Sequence, residues 1–484
     1  MKKRIISLLL VFAMLLSAAT LVSCNKGGND GENEGNNGEQ GSAKVPYEVP
    51  AEGYDGSAVT ITFYHSMGAR LQGILDTYIP EFNKLYPNIT VEHSSYGDYN
   101  GIRDQIKTEI SVGNQPNLAY CYPDHVALYN LAGAVTTLDG LIGSTIEVTR
   151  ADGTTEVLGL TAEQQADFIE GYYNEGKEFG DGLMYTMPLS KSTEVLYYNA
   201  TFFAEHGLTV PTTWDELEAT CAKIKEIDPD CIPLGYDSEA NWFITMCEQS
   251  GSDYTSATGD HYLFNNETNR AFVKRFNEWY QKGYLTTQTL YGAYTSGLFV
   301  AQEGTRSYMS IGSSAGATHQ RPDMVDGAYP FEVGIATVPQ LDASNAKVIS
   351  QGPSLCIFNK SNPQEVIASW LFVKFLTTNV EFQAEFGMAS GYVPVLKSVA
   401  ENPVYAAYIE SADGGNYVSA LAAKVCLEQQ DAYYTSPAFN GSSVARDQVG
   451  IIMTKCLPMT GDNIDAQIEQ AFEDAIDECE YQVG

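Results

Sequence analysis

Hydrophobic positions change their period repeatedly along the chain from residue 59 onward. Residues 59–64 read Val-Thr-Ile-Thr-Phe-Tyr, a β-branched and aromatic run, whereas residues 71–85 place apolar side chains at helical spacing. Residues 89–91 begin a second strand, and apolar positions spaced four apart over 102–110 mark a second helix. This β-α-β-α start predicts an α/β fold with a mostly parallel sheet and helical cover.

The alternation of strand and helix patterns continues toward the C-terminus. Thr213 and Glu216 predict a capping box at the start of a helix. Asp152-Gly153 predicts the turn of a surface hairpin over 146–158. Further strands are expected at 195–199, 307–311, 331–338 and 355–358, and further helices at 214–227, 363–377 and 463–480.

The N-terminus reads as an export signal with a lipid-attachment site. Three basic residues precede an apolar run over 5–16, which is too short to span a bilayer comfortably. The following Leu-Val-Ser-Cys24 resembles a bacterial lipobox, which predicts a signal peptide over 1–23 and lipidation of Cys24. An ordinary secretory signal with an incidental Cys24 is the alternative. Residues 24–56 are expected to form a flexible tether, because 25–44 carry no aromatic or branched apolar side chain.

The charge of the chain excludes one class of partner. Among 484 residues, 61 Asp and Glu stand against 27 Lys and Arg, which gives a formal net charge of -34. Such a surface repels phosphate backbones and anionic lipid headgroups, so no nucleic-acid partner is expected and any membrane attachment should be covalent or by a spanning segment. Eight cysteines follow Cys24, and an even number outside the membrane permits disulfides. Their apolar contexts favour buried free thiols.

One motif suggests catalysis but lacks the partner it needs. Residues 312–316 read G-x-S-x-G after a predicted strand, as in the nucleophile elbow of an α/β hydrolase. Only His319 follows Ser314, and a position five residues on along one helix cannot reach it. A polar cradle for a ligand's oxygens, formed by Ser313 and Ser314, is a better interpretation than a hydrolase, and a plain tight connection between strand and helix is equally compatible with the residues. A cell-surface hydrolase is the alternative for the function. The chain carries no recognisable metal or cofactor motif, so none is expected.

Four stretches together resemble a known family. They are 63–67 (Phe-Tyr-His-Ser-Met), 187–199 (from Met-Pro-Leu-Ser to Leu-Tyr-Tyr-Asn), 211–217 (Pro-Thr-Thr-Trp-Asp-Glu-Leu) and 391–395 (Gly-Tyr-Val-Pro-Val). The chain thereby resembles the extracellular solute-binding proteins of ABC importers, in the carbohydrate branch (family 1) that includes maltose-binding and glycerol-3-phosphate-binding proteins. The resemblance implies two α/β lobes that close on a ligand, with crossings near Ser190, Ile311 and Ser354. One lobe would combine 57–190 with 312–354, and the other 191–311 with 355–484.

The resemblance also implies a set of ligand-binding residues in the cleft between the lobes. Positions of the glycerol-phosphate subgroup match Tyr99, Ser192, Ser313 or Ser314, Gly352 and Tyr392. Trp242 is expected to form an aromatic wall, because a polar stretch precedes it. Two departures concern the charged groups: Pro123 and Asp124 stand where the subgroup has a glutamate, and Arg446 lies one helical turn before the expected arginine near Gly450.

The expected function follows from the resemblance. It implies a non-enzymatic, monomeric lipoprotein on the extracytoplasmic face of the membrane, held through Cys24. This lipoprotein would deliver a sugar, a polyol, glycerol 3-phosphate or a glycerophosphodiester to the transmembrane subunits of an ABC permease. A signalling or adhesion receptor with the same fold is a third interpretation.

Overall fold

The computed structural model describes residues 45–411 and 417–483. Cys24 and the predicted signal peptide lie outside the described residues. Val45–Gly484 form one compact unit by themselves. Residues 45–56, expected to belong to the tether, pack onto this unit instead: Tyr47 N–H donates to Thr137 Oγ1 (2.7 Å), and Tyr47 and Val49 contact the hydrophobic core.

Helices and strands alternate along the described residues as the sequence predicted. The strands are β1 (Val59–His65), β2 (Ile89–Ser95), β3 (Leu118–Cys121), β4 (Glu147–Thr149), β5 (Thr155–Val157), β6 (Thr186–Pro188), β7 (Ser192–Asn199), β8 (Leu234–Tyr236), β9 (Leu285–Thr287), β10 (Met309–Ser313), β11 (Val333–Ala336), β12 (Val348–Gln351), β13 (Ser354–Ile357) and β14 (Tyr433–Tyr434). The helices are α1 (Ala69–Leu85), α2 (Tyr99–Ile110), α3 (Pro123–Asn130), α4 (Asp139–Ile142), α5 (Ala162–Asp167), α6 (Glu170–Asn174), α7 (Ala200–Glu205), α8 (Trp214–Ile227), α9 (Glu239–Ser250), α10 (Glu267–Gln281), α11 (Gln288–Tyr291), α12 (Ser296–Phe299), α13 (Pro363–Thr378), α14 (Val380–Ser390), α15 (Pro403–Glu410), α16 (Tyr417–Glu428), α17 (Ser442–Cys456) and α18 (Ile464–Val483).

The capping box, the hairpin and the free thiols that the sequence predicted are all present in the structure. Thr213 Oγ1 accepts from Glu216 N–H (3.2 Å) and the Glu216 side chain accepts in return, so the predicted capping box is confirmed at α8. The predicted hairpin is also confirmed, since β4 and β5 pair antiparallel around Asp152-Gly153. All eight cysteines among the described residues are buried free thiols.

The first sheet has five strands in the order β2-β1-β3-β13-β6. β1 pairs in parallel with β2 and β3, whereas β13 runs antiparallel to β3 and β6. Helices pack their apolar faces on it, because β-α-β connections leave helices over the faces of a parallel sheet. Trp370 on α13 is fully buried in the hydrophobic cluster that covers this sheet.

The second sheet has seven strands. Its path is β14-β12-β7-β10-β8-β9, and β11 pairs with β7 as well. β8, β9 and β10 are parallel neighbours, so their carboxyl ends lie at one edge of the sheet. A second hydrophobic cluster covers this sheet and includes the fully buried Trp214 and Trp279.

The chain changes sheets twice over short segments. Residues 189–191 link β6 in the first sheet to β7 in the second, and 352–353 link β12 in the second sheet to β13 in the first. The segments expected in each lobe differ from this pairing. Ile311 lies inside β10, and β11 and β12 both pair with β7, so 312–351 continues the second sheet. Strand order depends on pairing between distant segments, which local patterns do not contain.

Gly352 makes the second crossing possible. Its φ of 97° lies in the left-handed region, and a Cβ at this position would stand 2.6 Å from Ser190 O and 2.9 Å from Lys191 Cα. Those atoms belong to the backbone of the first crossing and cannot move aside cheaply. A glycine is therefore required by conformation and by the contact between the two crossings.

We expect Gly352→Ala to lower the free energy of unfolding by about 3 kcal/mol, because it adds a backbone clash to a strained φ. Gly182→Ala is the matched control, since Gly182 has a φ of 76° with open space around it and should lose only about 1 kcal/mol. Urea unfolding of both variants measures the difference. Equal losses would show that the crossings do not constrain Gly352.

Candidate functional site

Two cavities lie next to the crossings and share part of their walls. The larger has a volume of about 620 Å3 and the smaller about 190 Å3. Gln351, the last residue of β12, and Arg446 on α17 line both. The two cavities are therefore adjacent parts of one polar region beside the second crossing.

The larger cavity lies at the carboxyl ends of β8 and β10. Parallel strands bring their carboxyl ends to one edge of a sheet, where loops and helix starts can surround a ligand. Here α9 begins directly after β8, and a 3-10 helix over 314–320 begins directly after β10. Most of the residues that line it have polar side chains: Glu194, Asp237, Ser238, Asn241, Gln288, Tyr294, Ser296, Ser313, Ala315, Gly316, His319, Gln320, Gln351 and Arg446.

The smaller cavity lies between elements that follow the two different sheets. From the side of the first sheet come the start of α3 and Glu175; from the second come the end of β12, residues 435–438 and α17. The lining combines aromatic, apolar and hydroxyl groups, namely Tyr122, Pro123, Asp124, Glu175, Ile244, Tyr254, Ile349, Ser350, Gln351, Thr435, Ser436, Pro437, Ala438, Ser442 and Arg446. Such a mixture is typical of small-molecule sites.

A buried network of hydrogen bonds organises the larger cavity. Glu194 Oε2 accepts from the Tyr236 hydroxyl (2.6 Å), and Glu194 Oε1 accepts from Asn241 Nδ2 (2.9 Å). Arg446 Nη2 donates to Asn241 Oδ1, so the amide joins the carboxylate to the guanidinium. Burial raises the pKa of Glu194 to about 7, although these hydrogen bonds and the charge of Arg446 lower it in part.

A second carboxylate faces the same cavity. Asp237 Oδ1 accepts from the backbone N–H and the hydroxyl of Thr295, both at 2.7 Å. Burial raises the pKa of Asp237, and the two hydrogen bonds from Thr295 oppose that rise. Two carboxylates and one guanidinium therefore line a cavity rich in hydrogen-bond acceptors, a chemistry that suits the hydroxyl groups of a polyhydroxylated solute.

Tyrosines gather behind the smaller cavity. The hydroxyl groups of Tyr99 and Tyr392 form a hydrogen bond with each other, and their oxygens lie 3.2 Å apart. The ring of Tyr99 packs against that of Tyr122, which lines the cavity, with centroids 4.7 Å apart. These rings supply flat apolar surface with polar edges.

Several polar atoms in these walls have no hydrogen-bond partner among the described residues. They are Gln320 Oε1 in the larger cavity, Ser350 Oγ and Ser436 Oγ in the smaller one, and Gln351 Nε2, whose residue lines both. Buried polar atoms are nearly always satisfied, so unpaired donors and acceptors in a cavity wall mark it as a place where a polar solute can bind.

The structure brings some of the sequence-predicted residues to the cavities. Asp124 lines the smaller cavity, Ser313 lines the larger one, and Arg446 lines both. Tyr99 and Tyr392 form the tyrosine group behind Tyr122.

Other predicted residues are buried in the second crossing or beside the first. Ser192 pairs with Gln351 in the ladder between β7 and β12, and Gly352 forms the second crossing. Ser314 is 1% exposed, and its Oγ accepts from Thr193 N–H (3.2 Å). These residues shape the backbone beside the cavities, whose walls do not include them.

The prediction that Trp242 forms a cleft wall is wrong. Trp242 lies within α9, fully buried, with its ring stacked 4.8 Å from that of Tyr236. The polar residues before it are the cap and first turn of this helix, with the Ser238 hydroxyl accepting from Asn241 N–H. The helix turns Trp242 toward the core cluster.

Sequence reasoning missed five residues in the walls of the cavities: Glu175, Glu194, Asp237, Gln320 and Gln351. Glu194 sits in an apolar strand, where a lone carboxylate is a readable signal of a buried polar site. Asp237 follows a short strand and precedes a helix cap, the usual position of a ligand-facing residue at a strand end. Among the described residues, there is no cluster of side chains suited to holding a metal ion and no helix long and apolar enough to cross a membrane.

Comparisons with known proteins agree with this arrangement. A family model described as bacterial extracellular solute-binding protein matches residues 77–412. The sn-glycerol-3-phosphate-binding periplasmic protein UgpB of Salmonella typhimurium is 24% identical over 358 residues, which cover 71% of this chain and 76% of that protein. UgpB of Escherichia coli K12 is 23% identical over 355 residues, covering 71% and 75%.

Solved structures show the same two-lobed α/β fold. The sugar-binding protein MalE from Xanthomonas citri has a TM-score of 0.67 at 17% identity, covering 88% of this chain and 98% of that one. UgpB from Mycobacterium tuberculosis in complex with glycerophosphocholine has a TM-score of 0.65 at 16% identity, covering 88% and 100%. The predicted two-lobed fold is therefore confirmed.

The raised pKa of Glu194 predicts a pH-dependent stability. Between its ordinary value of 4.5 and about 7, the unfolded chain ionises Glu194 while the folded protein keeps the proton. The free energy of unfolding should therefore fall as pH rises through this window, at about 1.4 kcal/mol per pKa unit. Glu194→Gln lacks the group, so its stability relative to the unchanged protein should increase by about 2 to 3 kcal/mol from pH 5 to pH 8. Denaturant unfolding at each pH measures this, and parallel profiles would contradict it.

Proposed function

Because the chain belongs to the family of bacterial extracellular solute-binding proteins, we propose that it captures a sugar, polyol or glycerol-phosphate solute in the two adjoining cavities. It then delivers that solute to the transmembrane subunits of an ABC permease. The observation that carries this proposal is the position of Arg446 and Gln351, which line both cavities. A solute held there would touch elements that follow both sheets.

The chemistry of the walls fits a polyhydroxylated solute. Glu194 and Asp237 accept hydrogen bonds and Arg446 donates one, while Gln351 Nε2 is a donor without a partner among the described residues. Tyr122 and Tyr254 add apolar faces at the smaller cavity. A solute with hydroxyl groups on an apolar ring or chain satisfies both kinds of surface without leaving a buried polar group unpaired.

Closure of two lobes on the solute completes the proposal. By the strand pairing, one lobe contains 45–188 with β13, and the other contains 192–351 with β14. Residues 189–191 and 352–353 are then two of the hinge segments, and the chain crosses once more between β13 and β14. Hinge closure buries the solute and presents a closed surface to the permease.

Attachment to the membrane through Cys24 is part of the same proposal. It is supported by the Leu-Val-Ser-Cys sequence at the end of an apolar signal. The periplasmic relatives support only the location outside the cytoplasm. A lipidated, monomeric protein on the extracytoplasmic face would encounter the permease by diffusing along the membrane surface.

Binding without turnover is the proposed chemistry. A nucleophilic serine must be exposed at its turn and paired with a base. Ser314 is instead buried, and its hydroxyl accepts from the backbone of β7. This arrangement disfavours the hydrolase alternative.

We expect residues 45–484, which form a compact unit of their own, to be stabilised by a cognate solute in a thermal-shift screen. The screen covers mono- and disaccharides, polyols, glycerol 3-phosphate and glycerophosphodiesters. At 100 times the Kd, a solute should add about 2.7 kcal/mol of stability. Arg446→Ala should weaken calorimetric binding of the same solute at least about tenfold, because a charged hydrogen-bond donor is lost.

Lys455→Ala is the matched control for the loss of one positive charge. Lys455 lies on the same helix as Arg446 but is exposed. It should bind the solute as the unchanged protein does. Equal weakening in both variants would show only a general charge effect, and unchanged binding by Arg446→Ala would place the solute elsewhere.

A further inference from the structure

A buried lysine stands where the two crossings meet. Lys191 is the last residue of the first crossing and has no exposed surface. Its Nζ donates to Gly352 O in the second crossing (3.1 Å) and forms an ion pair with Glu175 Oε1. One ammonium group therefore bridges both crossings and a 3-10 helix over 175–177.

The backbone of Lys191 is tied down as well. Lys191 N–H donates to Val393 O (3.0 Å), and Val393 N–H donates back to Lys191 O. The segment around Val393 follows α14 and packs in the first hydrophobic cluster. Backbone and side chain together fix this residue to elements associated with the first sheet, at the point where the chain leaves for the second.

Glu175 connects this bridge to the smaller cavity. Its Oε1 accepts from Lys191 Nζ and from the Ser354 hydroxyl (3.0 Å), the first residue after the second crossing. The same residue lines the smaller cavity. A solute in that cavity thus lies one side chain away from the contact that joins the crossings.

A buried ion pair is a poor source of stability, because desolvation of both ions offsets their attraction. Its better-attested use is to specify one geometry among several. Here the geometry is that of the two short segments through which the chain passes from one sheet to the other. An apolar residue at 191 would fill the space but could not hold the Gly352 carbonyl and the Glu175 carboxylate together.

We propose that Lys191 is a positioning residue for solute capture: its ammonium holds the two crossings together as one hinge unit, and Glu175 links that unit to the solute cavity. The link to the solute rests on the proposed function, whereas the coupling of the crossings does not. A solute hydroxyl that reaches Glu175 would compete for the carboxylate, and so change how firmly the crossings are joined.

Hydrogen exchange of residues 45–484, followed by mass spectrometry without any solute, tests the coupling. In Lys191→Met we expect peptides covering 189–193 and 350–354 to exchange at least about tenfold faster, because the crossings open locally more often. Small-angle X-ray scattering of the same variant should give a larger radius of gyration, measured well below its Tm.

Two further variants separate positioning from general destabilisation. Lys374→Met removes another buried lysine, on α13, which pairs with Glu156 Oε2 (2.9 Å) in β5 and whose hydrogen bonds do not involve the crossings. It should lower the Tm but leave the exchange of 189–193 and 350–354 unchanged. Lys191→Met/Glu175→Gln removes the unpaired carboxylate as well, so it should recover Tm while exchange at the crossings stays fast.

The inference is overturned if the double variant restores slow exchange at the crossings, or if Lys374→Met accelerates those peptides equally. It is also overturned if Lys191→Met leaves them unchanged. None of these results depends on a solute. The failure of this inference is therefore distinct from that of the proposed function, in which Lys191 would still hold the crossings together but no solute would stabilise the protein.

Discussion

The close contact of two crossing segments is the constraint on which the rest of the structure depends. Gly352 can approach Ser190 and Lys191 only because it has no side chain and adopts a left-handed conformation. β7 and β12 leave this contact side by side as antiparallel neighbours. Glu194 and Gln351, one on each strand, are thereby placed beside the same cavity. The geometry of the solute site follows from the geometry of the crossings.

The cavities are lined by several carboxylates and one arginine, within a protein that is itself very acidic. Four carboxylates, those of Asp124, Glu175, Glu194 and Asp237, line the cavities, and Arg446 is the arginine among them. Glu194 avoids part of the electrostatic cost by a pKa near 7, and Glu175 by its pairing with Lys191. Carboxylates that are hydrogen-bonded and partly neutralised can accept bonds from hydroxyl groups without strong mutual repulsion.

Local features of the fold could be predicted from the sequence, and features set by distant pairing could not. The β-α-β start, the β4-β5 hairpin and the Thr213 capping box depend on neighbouring residues, so their patterns were sufficient. The membership of β11 and β12 in the second sheet depends on contacts with β7 more than a hundred residues away. Trp242 shows the same limit, because a polar helix cap and a polar loop look alike until the helix is seen to face the core.

The site was predictable to a similar extent. Arg446, Asp124 and Ser313 were found through the family resemblance and do reach the cavities. Glu194 and Asp237 were missed because, among 61 acidic residues, their positions in an apolar strand and after a strand end were not singled out. The folded arrangement separates these carboxylates from the solvated majority.

The most direct test of solute binding at the crossings is a crystal structure grown with the solute that stabilises the protein most. We predict solute density that contacts Arg446 and Gln351 and extends into at least one of the two cavities. Density bound elsewhere on the protein, with side chains in both cavities unchanged and untouched, would contradict the assignment of this region as the binding site.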